Sequence, residues 1–152
     1  MGAKGVDSLP DGNWTMSEMS QEEKILRDSH TVALVGASPD AERPSYRVFS
    51  YLKEQGYRVI PVNPRFPQIL GETCYADLAA IPEKVDVVDI FRRAEDVPPV
   101  VDQAIAIGAK VVWMQLGVIN EAAASRAREA GLQVVMDKCM RKEHLKMRGI
   151  PE

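Results

Sequence analysis

The chain has 152 residues and 16.8 kDa, 45% hydrophobic and 27% charged, the balance of one globular domain with a tail. A net charge of −3 and a pI near 5.5 argue against a nucleic-acid partner, which would call for a basic excess. Two cysteines, Cys74 and Cys139, make no disulfide framework, so a reducing, cytoplasmic setting is expected; no apolar run approaches the roughly 20 residues of a membrane span.

Residues 1–19 read as a flexible tail: Gly2, Gly5, Pro10 and Gly12 punctuate it, and no apolar period runs through it. Trp14 is its one large apolar residue, a candidate for docking on the body or on a second subunit. The body is expected over 20–145. It opens with Ser20-Gln21-Glu22-Glu23, a capping box that predicts a short helix to about Asp28.

From Thr31 two patterns alternate. Short β-branched runs predict strands covered on both faces: Val32-Ala33-Leu34-Val35, then Arg58 to Val62, Val85 to Phe91, Lys110 to Met114 and Leu132 to Met136. Helical patterns lie between them. Ser45 to Gln55 ends at Gly56, Val97 to Ile107 begins with Pro98-Pro99 and ends at Gly108, and Asn120 to Ala130 is capped by Asn120 and stopped by Gly131. Asp77 to Ile81 reads as a turn, and Glu72 to Tyr75 as a short edge strand. The rhythm predicts a three-layer α/β/α Rossmann-like parallel sheet in the order 3-2-1-4-5-6, the Cys74 segment being strand three. The basic stretch after Cys139 is expected to form a short helix and fray as a tail over 146–152.

In an open parallel sheet, ligands bind beyond the carboxyl ends of the strands. The loop after the first strand holds Gly36, Ala37 and Ser38, then Arg43, with Ser45 expected to cap the following helix and turn its N-terminus to an anion. The dinucleotide motif G-x-G-x-x-G is not met, because Ser38 stands where its second glycine would. The second strand ends in Asn63-Pro64-Arg65, without the acid that a plain NAD site uses for its ribose, and Asn63 lies 27 positions after Gly36 where the usual gap is roughly 20. A carboxylate would repel a ribose phosphate; Asn63 and Arg65 would accept one. After the third long strand come Phe91 and Arg92, suited to an adenine face and a phosphate. Gln115, Leu116 and Gly117 follow the fourth, suited to a polar ligand arm. Asp89 is expected to hold a loop N–H or Arg92. Cys139 falls on the ligand side and reads first as a small buried thiol; the alternative is that Lys138 beside it lowers its pKa, which would make a mixed disulfide with a thiol ligand a candidate reaction. His30 and His144 read as solvated or helix-end residues, and neither they nor any nucleophile-base pair or metal-ligand cluster suggests catalysis.

Taken together, Val35-Gly36-Ala37-Ser38, Arg43-Pro44-Ser45, Pro61-Val62-Asn63-Pro64, Asp89 to Arg93, Trp113 to Val118 and Val135 to Cys139 resemble the CoA-binding domain family, the stand-alone proteins related to the N-terminal domain of the succinyl-CoA synthetase α subunit. The likeness covers about Ile25 to Leu145; Lys138 departs from it, since arginine is expected there. It implies a Rossmann-type fold that binds coenzyme A. Gly36, Ala37 and Ser38 would meet the phosphates, and Asn63, Pro64 and Arg65 the adenosine end. Phe91 and Arg92 would line the nucleotide pocket, and Gln115, Leu116 and Gly117 the pantetheine side. The expected function is non-catalytic binding of CoA or an acyl-CoA, as a sensor or as the partner of an acyl-CoA enzyme; homodimerisation is also open. An NAD(P)-binding oxidoreductase or redox-responsive regulator is the alternative.

Overall fold

The computed structural model describes residues 19–150; Trp14 and the rest of the 1–18 segment lie outside the described residues. The capping box at Ser20 is formed. Its hydroxyl accepts from Glu23 N–H at 3.1 Å and the Glu23 carboxylate accepts from Ser20 N–H at 3.0 Å, opening α1 (Gln21–Asp28). Strand β1 (Thr31–Val35) leads to α2 (Pro44–Glu54) and β2 (Arg58–Val62). A hairpin of β3 (Gln68–Ile69) and β4 (Glu72–Thr73) follows, then a 3-10 turn over Leu78–Ala80 capped by Asp77. Strand β5 (Val87–Ile90), α3 (Val97–Ala106), β6 (Val111–Met114), α4 (Glu121–Glu129), β7 (Gln133–Val135) and α5 (Met140–Met147) complete the chain. Asn120 caps α4 as its sequence predicts, accepting from Ala123 N–H at 3.0 Å.

The main sheet is parallel, in the order β2-β1-β5-β6-β7. That is the expected order with its outermost strand missing. The Cys74 segment is not a strand beside β2; Tyr75 alone makes a parallel bridge, donating to Pro61 C=O and accepting from Asn63 N–H. Pro61 explains the correction. On this outer edge the donor facing Thr73 would be the Pro61 nitrogen, which carries no hydrogen, so the ladder cannot extend from Tyr75 back toward Glu72. Glu72–Thr73 instead folds antiparallel onto Gln68–Ile69 through the two-residue turn Leu70-Gly71, both at positive φ (52° and 77°).

Side chains alternate across the sheet into two apolar layers. Ala33, Val88, Ile90, Val112 and Met114 pack with Val101 and Ala104 of α3 and Ala123 and Ala127 of α4. Val32, Leu34, Val87 and Trp113 pack with Leu26 of α1, Phe49 and Leu52 of α2, and Met140 of α5. Burying each large side chain contributes about 1.5–3 kcal/mol, and both faces of the central strands are used. Helix α5 is the short helix expected after Cys139, and it packs against α1 and α2. It runs to Met147, past the expected boundary at 145, and Arg148 Nη1 donates to Gln55 Oε1 at 2.7 Å.

Candidate functional site

The loops at the carboxyl ends of β1, β2, β5 and β6 meet the first turns of α2 and α5 around a cleft of about 630 Å³. Of the residues predicted from sequence, Gly36, Ala37, Ser38, Arg43, Ser45, Asn63, Arg65, Phe91, Arg92, Gln115 and Leu116 line this cleft. Pro64 does not; it lies on a smaller neighbouring hollow that shares Asn63 and Arg65. Gly117 lines neither, since its N–H is turned to Asp137 Oδ1 at 2.7 Å and ties the β6 loop to the β7 loop.

Gly36 fixes the floor. At φ +90° it lets the chain leave β1 against β5, where an added Cβ would stand 2.2 Å from Phe91 O. The N–H groups of Gly36 and Ala37 both point to Val62 C=O, at 2.9 and 3.4 Å, so they hold β2 rather than cradle a phosphate. Ser38 N–H has no partner among the described residues, and its hydroxyl accepts from Asp40 N–H at 3.0 Å. The expected capping by Ser45 is corrected. Pro44 occupies the first helical position of α2, which makes Arg43 the N-cap and sets Ser45 inside the first turn, where it is buried.

Asn63 is a clasp. Its Nδ2 donates to Ala37 C=O at 2.9 Å and its Oδ1 accepts from Arg65 N–H at 2.9 Å, while its own C=O accepts the Cys74 thiol at 3.4 Å. The side-chain amide thus joins the β1 and β2 loops and aims Arg65. Burial pushes the Cys74 thiol up, which fits a structural cysteine.

Six cationic residues line the cleft, Arg43, Arg47, Arg65, Arg92, Arg141 and Lys142, and no carboxylate lines it among the described residues. Arg43 has Asp40 at 3.9 Å. Arg47, Arg65, Arg92 and Arg141 have no ion-pair partner among the described residues. Sequence reasoning missed Arg47, Arg141, Lys142 and Phe66. Arg47 was signalled by standing one turn after Arg43; the α5 pair was visible only as a basic stretch, because nothing local says that α5 starts at the cleft.

Three further expectations are corrected. Asp89 holds neither a loop N–H nor Arg92; it is fully buried, and its Oδ1 accepts from Gln115 Nε2 at 2.6 Å. Burial raises its pKa to about 8, against the opposing pull of the Gln115 bond. The Lys138 ammonium is directed to Glu22, at 3.5 Å, while its backbone C=O accepts from the Trp113 indole N–H at 2.9 Å. His144 does stand in the last turn of α5, one of the two places expected for it, but it is not solvated. It is buried with Nδ1 2.7 Å from Tyr51 Oη, edge-on to Tyr51 and Tyr57, and burial, then Arg148, lowers its pKa. This contact clamps α5 to α2, the two helices whose first turns carry Arg47 and Arg141. Cys139, the N-cap residue of α5, lies on the cleft and is half-buried.

A parallel α/β sheet with a cationic crevice past its strand ends is a Rossmann-like architecture, in which ligands are bound beyond the carboxyl ends of the strands. The family model for the CoA binding domain matches residues 30–145, and the chain belongs to that family. It is 36% identical to the uncharacterized protein YneT of Bacillus subtilis over 121 residues, 80% of this chain and 90% of that one. It is 34% identical over 82 residues to the ADP-forming acetate–CoA ligase II of Archaeoglobus fulgidus, 53% of this chain but 12% of the ligase. Among solved structures, a hypothetical protein from Pyrococcus horikoshii OT3 superposes with a TM-score of 0.84 at 42% identity, covering 88% of this chain and 96% of that one.

Proposed function

We propose that the cleft binds coenzyme A or an acyl-CoA, and that the protein acts without catalysis, as a sensor or as the partner of an acyl-CoA enzyme. One observation carries the reading: six cationic residues line a cleft that no carboxylate lines among the described residues, in a chain whose net charge is −3. Coenzyme A carries a diphosphate and a ribose 3′-phosphate, and it answers such a cleft better than NAD does. Asn63, not an acid, stands at the end of β2, where NAD would need a carboxylate. The family and the ligase relatives support CoA as the ligand class. A second copy of the chain is the other partner this reading admits, and the cytosol is where it would work.

A calorimetric and melting-temperature panel with CoA, dephospho-CoA, acetyl-CoA, NAD and NADP tests the proposal. CoA should stabilise the protein most, and dephospho-CoA should bind about tenfold more weakly, the worth of one charged hydrogen bond. Stabilisation by NADP or NAD in preference to CoA would replace the reading with the oxidoreductase alternative.

Cys139 favours a redox-responsive variant of the same function, since its thiol lies on the cleft. Its thiolate would attack CoA disulfide, forming a protein–CoA disulfide and releasing one CoA thiolate. A mass increase of one CoA at Cys139 supports this; binding of CoA with no adduct after exposure to CoA disulfide removes it.

A further inference from the structure

The inference concerns Asp89. It sits in the middle of the sheet, in register with Leu34 on β1 and Trp113 on β6, with no solvent exposure. An apolar side chain would pack between those neighbours at no electrostatic cost, whereas a buried carboxyl is destabilising unless its polar atoms are paired. Here one is paired and one is not: Oδ1 accepts from Gln115 Nε2, and Oδ2 is the buried side-chain polar atom left without a partner among the described residues. A residue this costly to the fold, placed directly beneath the cleft floor, calls for a role at the cleft.

Gln115 shows what that role is. Its backbone is fixed at both ends, donating to Ile90 C=O at 3.3 Å and accepting from Val118 N–H at 2.8 Å. Gln115 is one of the residues lining the cleft, although it is almost wholly buried. With Nε2 held down by Asp89, the other end of the amide, Oε1, is left upward. Oε1 has no hydrogen-bond partner among the described residues and is not a buried orphan, so it opens to the cleft as an acceptor. Freed of Asp89, the amide could rotate by half a turn and present its NH₂ instead, which would reverse the polarity of the floor.

We propose that Asp89 is a positioning residue that locks the Gln115 amide with its carbonyl oxygen toward the cleft, so that the floor selects a ligand arm bearing amide N–H groups. In coenzyme A that arm is the pantetheine half, which carries two such groups; the nucleotide half is answered by the arginines. The inference rests on the CoA reading of the cleft.

The test separates the two halves of the ligand. Calorimetry measures CoA and adenosine 3′,5′-bisphosphate, which lacks the pantetheine arm, against wild type, Asp89→Leu and Asp89→Asn. Asp89→Leu should weaken CoA about tenfold and change the bisphosphate by less than about twofold. Asp89→Asn keeps an acceptor for Gln115 Nε2 and should restore CoA affinity. Should Asp89→Leu not fold, Gln115→Met carries the same expectation, a loss for CoA and none for the bisphosphate. Equal losses for both ligands, no loss for either, or failure of Asp89→Asn to rescue would overturn the proposal. A wild type that binds neither ligand would remove the CoA reading and this inference with it; a wild type that binds both, with variants showing no selectivity between them, would remove this inference alone.

Discussion

The two ends of the sheet treat charge in opposite ways. At the amino end a network of paired charges runs along the sheet. Arg58 bonds Glu72 and Glu83, each at 2.8 Å, and Lys53 reaches Glu72 at 2.9 Å. Asp86 accepts the N–H groups of His30 and Thr31 at 2.8 and 2.9 Å, with Lys110 at 3.7 Å. At the carboxyl end four arginines line a cleft with no carboxylate to meet them among the described residues. Charges that serve the fold are neutralised within it; charges left in like-sign company cost some stability and wait for a ligand of the opposite sign. Strand β5 spans the contrast within a few residues. Burial opposes the charge on Asp86, yet the two N–H groups and the lysine prevail and hold its carboxyl below the usual range. Asp89, near the cleft, is pushed up to about 8.

The largest effect should come from that pair of aspartates. Asp89 binds its proton more tightly folded than unfolded, so the folded state is favoured at low pH, and the advantage is lost as pH rises from about 4 through about 8. At about 1.4 kcal/mol per unit the loss is on the order of 5 kcal/mol. Denaturant midpoints for wild type should therefore fall across this range, and Asp89→Asn should flatten the curve. Asp86 has the opposite sign: its contribution is present near neutrality and is lost as pH falls through its lowered pKa, so Asp86→Asn should matter at neutral pH and not in acid. His144, its pKa lowered by burial, adds stability as pH rises to about 6.5, so the decisive window lies above that: a wild-type curve that rises from about pH 7 to 8 would show that the buried carboxyl does not carry its proton.

Next in size is Gly36→Ala. The new Cβ would meet Phe91 O at 2.2 Å with the backbone at φ +90°, and both β1 and β5 are held from either side. A loss of about 3 kcal/mol is expected in urea unfolding, together with weaker CoA binding, because the floor of the cleft must shift. Alanine tolerated at this position with less than about 1 kcal/mol lost would mean that the loop has more room than its packing allows.

The residues differ in how much of this the sequence disclosed. Local chemistry was legible: the Ser20 capping box, the Asn120 cap, the five buried strands and the glycine that ends β1 are each written within a few positions, and the expected order holds on five strands. Pro61 was equally visible, and its missing N–H was enough to reduce strand three to a single bridge at Tyr75. What the sequence hid depends on distance along the chain. Asn63 spends its amide on Ala37 and Arg65, Lys138 turns to Glu22, and His144 meets Tyr51 across 93 positions. Composition sees none of these, nor that α5 delivers Arg141 to the same opening as Arg47.

Two substitutions sharpen the contrast between the ends. Arg58→Ala removes a half-exposed ion network and should lower stability by about 1 kcal/mol while leaving CoA affinity unchanged. Arg65→Ala removes a cation with no ion-pair partner among the described residues and should leave stability within about 0.5 kcal/mol while weakening CoA about tenfold. If both lowered stability equally and neither changed affinity, the carboxyl end would be an ordinary solvated rim.

The smallest effect distinguishes the ends in the absence of any ligand. Salt screens attraction at the amino end and repulsion among the cleft arginines alike, and over the roughly 8–10 Å reach of charges at physiological ionic strength the two act separately. In wild type they oppose each other, so the melting temperature should scarcely move between 0.05 and 0.5 M NaCl. Arg58→Ala leaves the repulsive end in excess and should gain about 2 °C over that range, whereas Arg65→Ala leaves the attractive end in excess and should lose about as much. Slopes of the same sign in both variants would mean that the cleft arginines do not repel one another.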